Sequence, residues 1–190
     1  FPKPGTSYAT ITVNRDALSV GREIDYASAE DPRAVTFMLV GHSVLGCELR
    51  IASDTNVALP DNIVGHVQIR GDNVSRGYYH DPQSTQAAIS AGDWLDTGDL
   101  GFLSAGGLAI TGRSKEILFV SGQNYYPHDL EAVIEKHAGI EPGKAAVCGV
   151  RPDNAATDDA LAFILYRGEL RDFIMTARSV RKCVNEHIGI

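Results

Sequence analysis

Up to Gly112, apolar residues alternate with polar ones at a period of two, the mark of strands with one buried face. Ala9, Ile11 and Val13 alternate in "YATITV", Leu45, Cys47, Leu49 and Ile51 in "LGCELRIAS", and Val67 and Ile69 in "GHVQIRG". The last two read as half-buried antiparallel strands. "DWLDTGDLGFL" and "GLAITG" predict a hairpin across Ser104-Ala105-Gly106-Gly107. One short helix interrupts the strands, because "DPQSTQAAIS" sets Asp81 at an N-cap and Pro82 at the first helical position. "FPKPGTS" at the start is a Pro/Gly-rich connector. Between Tyr8 and Thr36, the alternating "ATITV" gives way to a polar turn and to "DYASAEDPR", which has no core face. That stretch predicts an added hairpin laid on a larger body through Ile11, Val13 and Leu18.

Past Lys115 the period changes. "EILFVSG" predicts a strand, and "YPHDLEAVIEKH" a helix with Leu130, Val133, Ile134 and His137 on one face and Pro127, Asp129 and Glu131 in its first turn. "KAAVCGV" and "LAFILY" predict strands. "ELRDFIMTARSVRKCVNEHI" predicts a long amphipathic helix with Phe173, Ile174, Ala177, Val180, Val184 and Ile188 inward. The class is therefore α+β: a β-rich, distorted barrel-like first part (1–114), then a small α+β body (115–190).

Bulk numbers narrow the function. At 190 residues, 44% hydrophobic and 22% charged, the chain can hold one sizeable core or two small ones. A net charge of −7 argues against a surface that coats nucleic acid. No apolar run reaches the ~20 residues of a membrane-spanning helix, and no signal-peptide pattern is present. Three widely spaced cysteines, Cys47, Cys148 and Cys183, suit a reducing cytoplasm better than a disulfide framework. The six histidines lack paired metal-ligand spacing, so no protein metal site is expected.

The chemistry concentrates in "TGDLGFLSAGGLAITGRSKE", 97–116. Asp99, in a Thr-Gly-Asp turn, can turn both carboxylate oxygens outward to accept hydrogen bonds, and the vicinal diol of a ribose supplies two donors. Arg113, one strand later, offers a rigid donor fork for hydroxyls or phosphate. The plainer reading is a turn and a solvated arginine.

"GHVQIRGDNVSRGYY", "WLDTGDLGFL" and "ITGRSKEILFVSGQNYYPHDLE" resemble three successive signatures of the adenylate-forming superfamily, which includes acyl-CoA synthetases, nonribosomal adenylation domains and luciferases. "GRSKEILFVSGQNYYPHDLE" is most similar to the fatty acyl-AMP ligases, and "VNRDALSVGRE" is similar to their distinguishing insertion, here 8–36. The resemblance covers nearly the whole chain. It implies activation of a fatty acid with ATP and magnesium, then transfer of the acyl group to an acyl carrier protein or to a polyketide or nonribosomal synthase. It implies that Asp99 holds the ribose hydroxyls, that Arg113 also reaches the nucleotide, and that Lys115 is the hinge of a mobile C-terminal domain. The loop 120–126 would face the active site during transfer.

The sequence departs from the family pattern in places. His66 stands where the family usually has Glu after Gly, and Gln123 and Tyr125 replace what are often a basic residue and a histidine. Neither the phosphate-binding loop nor the Pro-Lys-Thr…Gly-Lys segment with its catalytic lysine is found, and Lys182, within a helix, is a poor substitute. The expectation is the C-terminal part of a ligase, cut at both ends, with half a nucleotide site, no catalytic residue and no activity alone. Alternatives are an acyl-CoA synthetase, an amino-acid adenylation domain, or a non-catalytic module that docks a carrier. Among other residues, His128-Asp129 reads as a helix first turn, and His42, His66 and His80 as surface or strand positions. Cys148 reads as a small core residue. Tyr78-Tyr79 and Tyr125-Tyr126 read mainly as packing. Arg178, Arg181 and Lys182 form a solvated basic face, or a dock for an acidic carrier.

Overall fold

The alternating pattern folds into antiparallel sheet. In the computed structural model, which describes residues 9–153 and 155–190, the chain separates into two units between Lys115 and Glu116. The "FPKPGTS" connector and Tyr8 lie outside the described residues. The α+β class read from the sequence holds, and the strands form open sheets with no closed barrel among the described residues.

In the first unit β1 (Thr10–Asn14) pairs antiparallel with β2 (Ala34–Met38), Ile11 opposite Phe37 and Val13 opposite Val35. Ile11, Val13, Leu18 and Phe37 are buried. Between the strands Asn14 caps a single 3-10 turn by accepting from the Asp16 amide. The segment is tied down by backbone bonds: Gly21 N to Val64 O at 2.8 Å and Ile24 N to Asn62 O at 2.8 Å. The run after β2 meets a later strand through Val40 N to Leu108 O, also 2.8 Å.

The main sheet has the order β3 (Cys47–Ala52), β4 (Gly65–Gly71), β6 (Trp94–Ser104), with β5 (Ile89–Ser90) and β7 (Gly107–Arg113) both pairing β6. β5 meets the start of β6, and β7 meets its second half. Helix α1 (Pro82–Ala88) is capped as expected, Asp81 accepting from Ser84 N at 2.9 Å. The helix stops sooner than the sequence suggests, since Ile89-Ser90 pairs with β6. The β6–β7 turn is only Ala105-Gly106, both at positive φ (49° and 77°), the geometry a two-residue hairpin needs. Ile51, Val67 and Leu108 form the core under this sheet, and the Phe102 ring meets Phe37 edge-on, centroids 6.4 Å apart.

The second unit starts with a tight hairpin, β8 (Leu118–Val120) and β9 (Gln123–Tyr125), turned by Ser121-Gly122 at φ 52° and 85°. Helix α2 (Pro127–His137), strands β10 (Ala145–Val150) and β11 (Asp159–Ile164), and helix α3 (Leu170–Ile188) follow. Gly189, at φ 88°, ends α3 by donating to Val184 and Asn185 carbonyls. Leu118, Tyr125, Leu130, Ile134, Val147 and Val180 form the core.

Several expected positions move. Cys148 is exposed, because Val147 beside it takes the buried face of β10, and Cys183 on α3 is the buried cysteine. Burial pushes the Cys183 thiol pKa up. Ile174 is 55% exposed, so the inward stripe of α3 reaches the core only from further along, at Val180 and Cys183. Val133 is half-buried and His137 exposed, leaving Leu130 and Ile134 as the buried stripe of α2.

Candidate functional site

β6 departs from its partner β4 at the Thr-Gly-Asp sequence. Gln68 pairs with Asp96 and His66 with Leu100, so Val67 alone stands against Thr97, Gly98 and Asp99. A bulge of this kind re-aims side chains away from the sheet's regular alternation. Side chains fill the gap in the ladder. Thr97 Oγ1 donates to the Val67 carbonyl at 3.0 Å and accepts from the Asp99 amide at 3.2 Å. The Gly98 amide donates to Asp96 Oδ1 at 2.8 Å, and the Gly98 carbonyl accepts from Ser114 N at 2.9 Å and Ser114 Oγ at 3.2 Å. Gly98 sits at φ 78°, where a side chain would be strained. The turn is therefore held on both polar groups of its central residue.

On the other edge of β6, Asp99 lies directly opposite Arg113 in the β6–β7 register. Arg113 Nε donates to Asp99 Oδ1 at 3.1 Å, with the side chains 58% and 28% exposed. The structure thus brings together the two residues the sequence singled out. Their bond uses Oδ1 and Nε, so Asp99 Oδ2 and the terminal guanidinium N–H groups carry no other hydrogen bond among the described residues. An ion pair this exposed contributes about 0–1 kcal/mol, so a ligand that exchanges it for better bonds loses little. Two vicinal hydroxyls could donate to the carboxylate while the guanidinium stays alongside.

Other expected residues are placed as follows. Lys115 is exposed, in the turn that follows β7. The loop 120–126 is a β-hairpin with Tyr125 and Tyr126 buried in packing, and Gln123 accepts from Tyr125 Oη at 2.8 Å. Tyr78 and Tyr79 are exposed. His128 lies 3.7 Å from Asp129, whose side chain is buried. Among the described residues no group of three or more His, Cys, Asp or Glu could hold a metal ion. Sequence reasoning gave no role to Asp96 or Ser114, and it read His66 as a surface or strand position, which its place on β4 matches. His66 Nε2 lies 2.9 Å from Asp54 Oδ1, and its Nδ1 is 3.6 Å from Asp96 Oδ2. The available signal was Asp96 two residues before Gly98, the spacing at which an Asp side chain caps a turn amide.

The fold and sequence both have relatives. A solved structure from a study of fatty acyl-adenylate ligases of E. coli and L. pneumophila superposes on 97% of this chain and 33% of its own, with a TM-score of 0.83 and 27% identity. The long-chain-fatty-acid–AMP ligase FadD26 of Mycobacterium tuberculosis is 34% identical over 185 residues, 90% of this chain. The chain belongs to the adenylate-forming superfamily. A second branch of that superfamily is also close: nonribosomal peptide synthetase btyA of Aspergillus terreus is 36% identical over 138 residues, 70% of this chain. The chain spans 29% of the FadD26 ligase and 15% of the btyA synthetase. No protein-family model matches it. The relatives thus include both fatty acid–AMP ligases and nonribosomal peptide synthetases.

Proposed function

We propose that the chain is the ribose clamp and mobile domain of a fatty acyl-AMP ligase. The first unit would be the end of the large nucleotide-binding domain (1–114), carrying 8–36 as the ligase-type insertion. Residues 115–190 would belong to the domain that swings about Lys115. The observation that carries the reading is Asp99, on the Thr-Gly-Asp bulge of β6, bonded to Arg113 directly opposite on β7.

In the reaction, a fatty acid carboxylate attacks the α-phosphate of ATP, the bond to the β-phosphate breaks, and pyrophosphate leaves with the electron pair. The acyl-adenylate then passes its acyl group to the thiol of an acyl carrier protein, with AMP as leaving group. This chain's part is positioning: Asp99 accepts the ribose hydroxyls and Arg113 donates to the same nucleotide, so the α-phosphate is held for in-line attack. Magnesium would travel with the phosphates, and no residue described here is assigned to it. Carrier and ATP as substrates suit a cytoplasmic enzyme. A hinge of one or two residues is enough to absorb domain rotation.

The identity to a nonribosomal synthetase favours a second reading, an amino-acid adenylation domain. ATP–pyrophosphate exchange by the full-length enzyme, run across fatty acids and amino acids, separates the two. Exchange driven by fatty acids is expected, and exchange driven only by amino acids would replace this reading by the second. In the same enzyme Lys115→Pro, which fixes φ near about −65°, should affect adenylation and acyl transfer unequally. Equal loss of both would remove the hinge.

A further inference from the structure

Behind the Thr-Gly-Asp bulge lies a histidine that the proposed mechanism does not use. His66 sits on β4 at the position where the β4–β6 ladder breaks, its side chain only 20% exposed. One ring nitrogen, Nε2, is bonded to Asp54 Oδ1 at 2.9 Å. The other, Nδ1, is buried without a hydrogen-bond partner and faces Asp96 Oδ2 across 3.6 Å. The second oxygen of that same carboxylate, Oδ1, holds the Gly98 amide. A line of contacts therefore runs Asp54, His66, Asp96, Gly98 and ends one residue from Asp99.

We propose that His66 is a positioning residue whose charge state sets the Thr-Gly-Asp turn through Asp96. This inference rests on the reading of Asp99 as the ribose clamp. Neutral imidazole has one N–H, and Asp54 is its bonded partner, so the Nδ1 lone pair then faces a carboxylate and the two stand apart. Imidazolium has a donor on each nitrogen and serves both carboxylates at once. Closing the Nδ1–Asp96 gap anchors the carboxylate that carries the Gly98 amide, and Gly98 fixes where Asp99 points. The charged groups facing the ring are Asp54, from the loop after β3, and Asp96, from β6. Its β-ladder neighbours, Ala52 on β3 and Leu100 on β6, carry no charge. His66 and Asp96 act on the ligand only through Gly98, so an effect of about two- to fivefold on nucleotide affinity is expected.

Two readouts on the full-length enzyme test this. The first needs no nucleotide: the Gly98 amide resonance, followed by NMR between about pH 5 and 8, the range in which histidine changes charge. It should move with pH in the unsubstituted protein and stay still in His66→Gln and Asp96→Asn. The second is the KM for ATP in pyrophosphate exchange over the same range. KM should fall about two- to fivefold toward acid, kcat changing less, and the trend should be lost in both variants. Asp54→Asn should keep the trend, and Asp96→Asn carries the test where His66→Gln fails to fold. A Gly98 shift that persists unchanged in both His66→Gln and Asp96→Asn overturns the inference. So does a pH trend in KM that survives both substitutions. If Asp99→Asn leaves ATP affinity untouched while Gly98 still titrates through His66, the ribose reading fails and the His66–Asp96 coupling stands.

Discussion

The two tight turns of greatest interest, Thr97-Gly98-Asp99 in the first unit and Ser121-Gly122 in the second, are held in different ways. The first lies inside a long strand of a five-stranded sheet, with β4 on one edge and β7 on the other. Its bonds come from residues of its own and adjoining strands: Thr97, Asp96, Ser114 and the Val67 carbonyl. The second tips a hairpin of three residue pairs whose free edge is held by a loop. Asp158 Oδ2 accepts from Phe119 N at 2.7 Å, and Asp158 N donates to Phe119 O at 2.7 Å. Thr157 Oγ1 accepts from Ser121 N and donates to Phe119 O, both at 3.0 Å. Arg151 holds the other Asp158 oxygen at 2.7 Å. A site built into a sheet is preorganised by the fold itself. The tip and outer edge of the hairpin, held by loop side chains, can loosen while Leu118 and Tyr125 stay in the core.

The sheet should be the easier of the two to break by steric insertion. A Cβ on Gly101 would run into the Ala109 carbonyl and approach Val67 Cγ2 at 3.2 Å, with backbone on the near side that cannot yield cheaply. Gly101→Val should lower the stability of the first unit by about 3 kcal/mol, read by urea denaturation. A loss under about 1 kcal/mol would mean that β6 and β7 are not packed as described.

Three residues away the limit is conformational instead. Nothing lies within 4 Å of a Cβ at Gly98, but its φ is 78°. Gly98→Ala takes on the left-handed penalty of about 1–2 kcal/mol, partly offset by a less flexible unfolded chain. A net loss of about 1 kcal/mol is expected, with a larger effect on ATP affinity than on the melting midpoint. Unchanged affinity together with lost stability would separate the turn from the ligand.

The smallest effect concerns the second turn and acid. Arg151 and the Phe119 amide hold the Asp158 carboxyl pKa below its ordinary value of 3.8. A depressed carboxyl pKa contributes stability that is present above the ordinary value and is lost as pH falls through the folded-state pKa. The β8–β9 hairpin should therefore loosen as pH falls below about 3.8. Asp158→Asn should flatten that acid arm. An identical acid profile for the variant, followed at the Phe119 amide by NMR, would show that Asp158 does not clamp the hairpin.

How far each region could be read from its residues follows from the same contrast. Period-two alternation located β1, β3, β4, β6 and β7, because each has one face on the core, and the Asp81-Pro82 pair marked the start of α1. β5 was hidden because two residues carry no period. Asp99 and Arg113 were legible as types with suitable chemistry. Their direct opposition depends on register, and the bulge opposite Val67 breaks the count by which register would be inferred. Gln68 is buried at 4% on a strand face that alternation assigns to solvent, its amide bonded to Arg50 and Asn56. In the second unit, helical periodicity named Ile174 as inward, since a helical wheel cannot show how far along α3 the sheet reaches. Thr157 and Asp158 act through backbone groups of a hairpin 38 and 39 positions away, which no local pattern records.

The central claim is that Asp99, aimed by its bulge and paired with Arg113, binds the ribose of the nucleotide. Calorimetric titration of full-length Asp99→Asn with ATP tests it most directly. The substitution keeps shape but replaces one acceptor oxygen by a donor and removes the charge, losing a bond worth about 1.5–3 kcal/mol. ATP affinity should fall at least about tenfold with the melting midpoint nearly unchanged. An affinity equal to that of the unsubstituted enzyme would contradict the account and take Asp99 out of the site.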